Sequence, residues 1–368
     1  MRSLLFLTHD IGFFLSHRLP VAKAALADGY AVAVAGPDGG GAVALTEHGI
    51  RHIPVSMPRG LMNPVGQLRS IGTIWSLLKR ERPDIVHLIA SKPVIIGGVV
   101  SRALGLSTVA AISGLGHVFI DQSLRSRIMR QFVLLGYRAA IAHSRCHTIF
   151  QNETNRELMF GIGVDPARTI LIPGSGTDVE RFDPTPAENA EPVVLLPARM
   201  LWTKGVREFC EAAAILKASG TKAHFRMVGD PYLGNPASLD PDALRAIADG
   251  GVVEWAPYTE RIEAELRKSD IVALPSHYGE GLPKTLIDAA AAGRAVVTTD
   301  LPGCRDAIIP GETGLLVEPH SAEDLAAKLA VLVEDTDLRR RMGAAGRKLA
   351  EQRYRIVDVV ERHLGLYH

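Results

Sequence analysis

The sequence predicts an α/β protein made of two consecutive, doubly wound, Rossmann-like domains that face each other across a cleft. Three observations predict it. Short continuous apolar runs alternate with helix-period segments along nearly the whole chain, the signature of parallel strands covered on both faces. The alternation restarts after a polar, proline-rich segment at residues 182–192, a composition that marks a linker. And 368 residues exceed what one ordinary hydrophobic core organises.

Taken in order, the strand-like runs of the first half are 4–8, 30–35, 52–56, 84–90, 108–113, 148–152 and 169–173. Those of the second half are 193–197, 223–228, 252–255, 271–275, 295–299 and 314–317. Each is followed, with few exceptions, by a segment of helical period. Residues 335–368 read as helix without a strand. The domains are therefore placed at 1–183 and 192–352, with a helix at about 353–368 expected to pack back on the first. In this architecture ligands bind outside the carboxyl ends of the strands.

Composition narrows the function. Hydrophobic residues make up 47% and charged residues 22%, which suits a globular protein and leaves no apolar run long enough to span a bilayer. The N-terminal MRSLLFL run lacks an extended basic region and a small-residue cleavage site, so it reads as a first buried strand rather than a signal peptide. Three scattered cysteines, Cys146, Cys210 and Cys304, form neither a disulfide framework nor a metal-ligand spacing, and a reduced, cytoplasmic setting is expected. The net charge of +1 conceals an asymmetry: residues 1–190 carry 19 Lys+Arg against 14 Asp+Glu. Residues 48–80 and 122–152 contain no acid at all. If 124–142 is one helix, Arg127, Arg130 and Arg138 fall within an arc of about 80°. Such a face suits anionic lipid or an acidic substrate, or is simply solvated. No nucleic-acid motif accompanies it.

The chemistry concentrates in two segments. Residues 276–297, SHYGEGLPKTLIDAAAAGRAVV, leave a buried strand, pass Glu280 between two glycines, and enter a helix near Pro283. Gly281, Leu282 and Thr285 surround that helix start, where unpaired N–H groups and the positive dipole end suit a phosphate. Glu280 sits in the loop and Asp288 along the helix, so they reach different parts of an extended ligand rather than chelating one ion. Residues 198–205, ARMLWTKG, follow the first strand of the second domain. They supply Arg199, a planar fork, and Lys204, a point charge, which together could stabilise the negative charge of a departing diphosphate. With those cations present no metal is called for. Taken singly, either segment is equally readable as a turn or as surface charge; their joint occurrence after successive-domain strands is the informative fact.

Together these strings resemble glycosyltransferase family 4, retaining enzymes of the GT-B fold. The resemblance implies that Glu280 lies near the donor sugar and Asp288 binds the ribose, although the family usually has glutamate at the latter position. It implies that Arg199 and Lys204 grip the diphosphate and that Gly229 and Tyr258 border the nucleotide. His117, in a loop after a first-domain strand, is placed near the sugar. Gly12 occupies the first strand-to-helix turn, where the family often has paired glycines, and His17 and Arg18 either meet the acceptor or merely start a helix. Pro302-Gly303-Cys304 is read as a structural turn. The strings at 198–205, 113–116 and 119–121 are most similar to the branch acting on undecaprenyl-diphosphate-linked sugars, of the N-acetylgalactosaminyltransferase type. The implied reaction moves a hexosamine or hexose from a UDP-sugar to a lipid-linked saccharide at the inner face of the cell membrane, with no cofactor. Two alternatives stand beside it: a sugar-nucleotide epimerase, which needs no acceptor, and a non-catalytic nucleotide-sugar-binding subunit, which turns nothing over.

Overall fold

The computed structural model describes residues 1–368 except 40, 58–63, 117, 118, 120–122 and 233, and except the side chains of 64, 65 and 67. The chain divides into two compact units, Met1–Ser175 with Ile356–His368, and Gly176–Arg355.

In the first unit the elements run β1 (Ser3–Leu7), α1 (Ile11–His17), α2 (Leu19–Ala27), β2 (Ala31–Gly36), α3 (Gly41–Glu47), β3 (Arg51–Pro54) and α4 (Pro64–Glu81). They continue with β4 (Ile85–Ile89), α5 (Ser91–Ala103), β5 (Ser107–Ile112), α6 (Leu124–Ile141), β6 (Cys146–Phe150), α7 (Glu153–Phe160) and β7 (Thr169–Leu171). Seven parallel strands lie in the order β3-β2-β1-β4-β5-β6-β7. Leu4 pairs with Val32 on one side and Ile85 on the other. Strand β4 is buried along its whole length, as a central parallel strand must be. Strand β6 ends earlier than its apolar run suggests because Asn152 caps α7, its side chain accepting from Asn155 N at 2.9 Å. A cap residue takes an extended backbone but turns its side chain to the helix, so it leaves the ladder.

The second unit repeats the plan with β8 (Val193–Pro197), α8 (Val206–Ala218), β9 (His224–Val228), α9 (Pro241–Asp249), β10 (Glu254–Ala256), α10 (Ile262–Lys268) and β11 (Ile271–Leu274). Then come α11 (Lys284–Ala291), β12 (Ala295–Thr299), β13 (Gly314–Val317), α12 (Ala322–Glu334) and α13 (Thr336–Arg353). Its six parallel strands are ordered β10-β9-β8-β11-β12-β13. Consecutive strands add outward from β8 to β10, and the chain then returns to place β11 on the other side of β8. The order thus reverses between β8 and β11, and the loops leaving those two strands diverge there, opening a crevice.

The division between units falls before the proline-rich segment, not within it. Val179 and Phe182 are buried in the second unit's core. Arg294 is 2% exposed and donates to the carbonyls of Asp183, Thr185 and Ser269. Arg347 donates to those of Val179, Phe182 and Ala291. Two guanidinium groups thus hold as fixed chain what composition marks as a linker.

The last helix, α14 (Ile356–Leu364), belongs to the first unit and packs against α2. Beneath it lies a buried polar group. His87 Nδ1 meets Tyr367 Oη at 2.5 Å, the His87 and His363 rings stack at 5.7 Å, and Tyr30 Oη donates to Tyr367 O at 2.8 Å. Arg18 joins them at 1% exposure, its pKa lowered to about 10 by burial. So Arg18 is a core cation between α1 and α2, not a group that meets an acceptor. His17 closes α1, its ring stacked on Phe13 at 4.1 Å.

Burial, reinforced by Arg18, lowers the pKa of His363 from 6.5 to about 3 and drives that of His87 well below its usual value. The unfolded chain therefore takes up protons that the folded chain refuses between those values. The stability from keeping these rings neutral is complete above the unfolded pKa and is lost as pH falls below it. Thermal melts should show a loss of about 2 kcal/mol from His363 alone on going from pH 7.5 to pH 5. His363→Leu should flatten that slope; an unchanged slope in the variant would disprove the assignment.

Candidate active site

The crevice at the strand-order reversal receives both motifs. Residues 198–205 leave β8 and residues 275–283 leave β11, neighbouring strands of one sheet. Across this junction Lys204 Nζ forms an ion pair with Glu280 Oε1, both side chains largely shielded. Ser276 Oγ lies 2.8 Å from the same carboxylate oxygen and 3.1 Å from Thr203 O. His277 N donates to Thr203 O at 3.1 Å, so the two loops are stitched by backbone as well as side chain. Thr299 Oγ1 donates to Ser276 O from β12, fixing the loop from its other side.

Arg199 is exposed, its guanidinium 4.6 Å from the centre of the Tyr232 ring. Burial and the Glu280 charge raise the Tyr278 pKa while Arg199 opposes them, which places Arg199, Tyr278 and Glu280 in one electrostatic neighbourhood. Lys204 and Glu280 are therefore brought together, with Arg199 close by.

Pro283 is the N-cap of α11 and offers no side-chain cap, leaving the helix start to other partners. Thr285 Oγ1 donates to Pro197 O at 3.0 Å, pinning that helix to the end of β8. Leu282 is 6% exposed and anchors the loop in the core; Gly281 is buried beside it. Asp288, 5% exposed, accepts from Thr177 Oγ1 and Lys284 Nζ through one oxygen, each at 2.7 Å. Gly229 follows β9 with φ +147°, and a Cβ there would lie 1.9 Å from Ala198 O, so only glycine lets the Arg199 loop pass. Tyr258 is exposed and is set by its backbone N donating to Asp230 Oδ1 at 2.9 Å.

In the first unit Gly12 lies inside α1, where a Cβ would meet nothing closer than Asp10 Oδ1 at 3.4 Å. No close approach demands a glycine there. His117, like residues 120 and 121 of the string at 119–121, lies outside the described residues. Sequence reasoning missed Ser276, and it read the turn that holds Gly303 as structural without linking it to Glu280. Ser276 is the residue after a buried strand and four before Glu280, a position that could have drawn attention. The backbone of Gly303, with φ +86°, runs against the Glu280–Gly281 peptide.

Burial holds the thiol pKa values of Cys146, Cys210 and Cys304 up at about 12, so none is an activated nucleophile. Among the described residues one group has metal-ligand spacing: Glu208, His277 and His320, whose ligand atoms all lie within 4.8 Å of one another. Glu208 Oε1 is 3.8 Å from His277 Nδ1 and 3.5 Å from His320 Nδ1, pairings that tie α8 to the loops after β11 and β13.

Two Rossmann-like units, with a lysine–glutamate pair at the switch point of the second, define a glycosyltransferase of the GT-B class. Residues 4–146 match the family described as "Glycosyl transferase 4-like" and residues 178–349 match "Glycosyl transferases group 1". The chain belongs to these glycosyltransferases. It is 29% identical over 376 residues to the N,N'-diacetylbacillosaminyl-diphospho-undecaprenol alpha-1,3-N-acetylgalactosaminyltransferase of Campylobacter jejuni, covering 98% of this chain and 97% of that one. It is 31% identical over 226 residues to the D-inositol 3-phosphate glycosyltransferase of Nocardia farcinica, spanning 57% of this chain and 49% of that protein. Anabaena HepE in complex with UDP superposes with a TM-score of 0.79 at 18% identity, covering 99% of both chains. WaaG, a glycosyltransferase involved in lipopolysaccharide biosynthesis, gives 0.74 at 18% identity over 98% of each. At that identity the structural likeness speaks for the fold.

Proposed function

We propose that the enzyme is a retaining transferase that moves a sugar, an N-acetylhexosamine or hexose, from a UDP-sugar to a hydroxyl of a saccharide carried on a lipid diphosphate. The full-length similarity to the Campylobacter enzyme, whose name specifies an undecaprenyl-diphosphate acceptor, supports the acceptor class; the UDP bound by HepE supports the donor class. The second unit would bind the donor and the first the acceptor, at the inner membrane face where lipid-linked saccharides are assembled.

One observation carries the reading: Lys204, Glu280 and Ser276 meet at the switch point, with Arg199 beside them. In the proposed reaction the bond from the anomeric carbon to the β-phosphate oxygen breaks and a bond to the acceptor oxygen forms on the same face. The acceptor proton passes to the leaving diphosphate. Lys204 and Arg199 stabilise the charge that develops there, together with the start of α11. Lys204 would exchange its ion pair with Glu280 for the phosphate, freeing the carboxylate to orient the donor sugar. Asp288 would hold the ribose through the oxygen that Thr177 and Lys284 leave open, and Gly229 and Tyr258 would border the base. Gly281, Leu282 and Thr285 shape the phosphate end. The reaction so written uses no metal and no cofactor.

The test is nucleotide release. UDP should appear from the correct UDP-sugar only when a lipid-diphosphate saccharide is added. A nucleoside-diphosphate melt screen should first identify the base, since ligand at 100 times its Kd stabilises by about 2.7 kcal/mol. Conversion of the donor without acceptor would mark an epimerase instead, and tight UDP binding with no turnover of any donor would mark a binding subunit.

A further inference from the structure

Helices α4, α5 and α6 form one layer on the first unit's sheet: α5 packs against both neighbours. Small residues let α5 and α6 approach closely. A Cβ on Gly98 would lie 2.7 Å from Ala140 Cβ, and one on Gly136 would lie 3.0 Å from Ile95. The inward side of α6 is buried through Val133, Tyr137, Ala140 and Ile141.

Its outward side is apolar too. Leu124, Ile128, Phe132 and Leu135 are 71%, 54%, 66% and 61% exposed. They fall within an arc of about 80° on the helix, opposite the buried side. Leu68, Ile71 and Trp75 of α4 are also exposed, and share an arc of about 60° on their own helix. Single exposed apolar side chains are ordinary; a stripe along one helix with a second on the same layer is not.

The flanks are basic. Arg127 and Arg138 border the α6 stripe on one edge and Arg125 on the other, and all three are exposed. The three helices together hold one acid, Glu81, which pairs with Arg51 and Arg80. This charge decides between occupants. A second copy docking by a two-fold axis would press like charges together with no acid on α6 to answer them. A surface of anionic headgroups above hydrocarbon satisfies both the arginines and the stripe.

We propose that the outer face of α6, extended by α4, is the surface by which the enzyme lies on an anionic lipid bilayer. Leu124, Ile128, Phe132 and Leu135 enter the interface, and Arg125, Arg127 and Arg138 bind headgroup phosphates. The surface carries this inference by its own chemistry; the acceptor reading above only gives it a purpose.

Co-sedimentation of the full chain with vesicles tests it. The protein should bind phosphatidylcholine vesicles containing phosphatidylglycerol, far less those of phosphatidylcholine alone, and release as salt rises. Arg127→Glu with Arg138→Glu should weaken binding by at least about 30-fold, and Phe132→Ser with Leu135→Ser by more than about tenfold. All four positions are exposed or point outward, so both variants should melt like the parent. Failure of the parent to bind the anionic vesicles overturns the proposal, as does parent-like binding by both variants. So does a concentration-dependent dimer that the same variants abolish while vesicles are ignored. If no UDP-sugar turns over yet the vesicles bind as described, the donor reading falls and this one stands.

Discussion

Lys204→Ala should lower kcat/KM by about 10²- to 10³-fold, the usual cost of removing one preorganised group that meets transition-state charge. The side chain crosses from the loop after β8 to Glu280, in the loop after β11, so it is aimed at the crevice rather than at solvent. Its loss also leaves Glu280 without its cation, and that second effect must be separated from the first. A double-mutant cycle with Glu280→Gln does so. If Lys204 only holds Glu280, the double variant loses no more than the worse single. If Lys204 contacts the leaving group, the losses exceed that bound. Steady-state kinetics beside thermal melts read both. Near-parent turnover by a folded Lys204→Ala enzyme would remove the lysine from the reaction.

Gly303→Ala should be nearly as damaging, though Gly303 offers no functional group. A Cβ there would lie 2.2 Å from Gly281 O and 2.7 Å from Glu280 O. The obstructing atoms are backbone, so no rotamer change relieves the clash, and φ +86° disfavours any L side chain by about 1–2 kcal/mol. The Glu280–Leu282 loop must shift away. A displacement of about 1 Å in a reacting array costs about 10²-fold. We expect that loss in kcat, with a lower Tm as the strain is shared between loop and turn. Parent-like activity in Gly303→Ala would mean that the loop accommodates elsewhere and that its position is not critical.

The parts of the molecule that depend on local chain chemistry were legible early. Among the described residues each of the thirteen strands lies on or within a few residues of an apolar run, and central strands such as β4, buried on both faces, must be apolar along their length. The helix over residues 124–141 and the helical C-terminal segment were visible in periodicity. Arg199, Lys204, Glu280 and the start of α11 stood out because cations and a helix start suit a phosphate, a carboxylate suits sugar hydroxyls, and all of them lie in loops that follow strands.

Less visible were features that depend on which segments become neighbours. Arg18 looked like a helix start with a free cation, and is instead among the most buried side chains in the chain. Residues 182–192 have a linker's composition, yet Arg294 and Arg347, more than a hundred positions further on, bind the carbonyls of Thr185 and Phe182. The arginines of α6 were countable, but the apolar stripe between them looks like core until the sheet is found on the helix's other side.

The order of residues was enough to read two parallel α/β units and a resemblance to a glycosyltransferase family, and it marked Arg199, Lys204 and Glu280 as candidates. Tertiary structure alone decided that β8 and β11 are neighbours, that Lys204 therefore reaches Glu280, and that Gly303 lies under the peptide following it. The physical reason is range. Burial period and capping act over a few residues and are written in neighbouring letters, whereas strand order is settled by packing between segments tens of residues apart, and the pairing of Lys204 with Glu280 follows from that order.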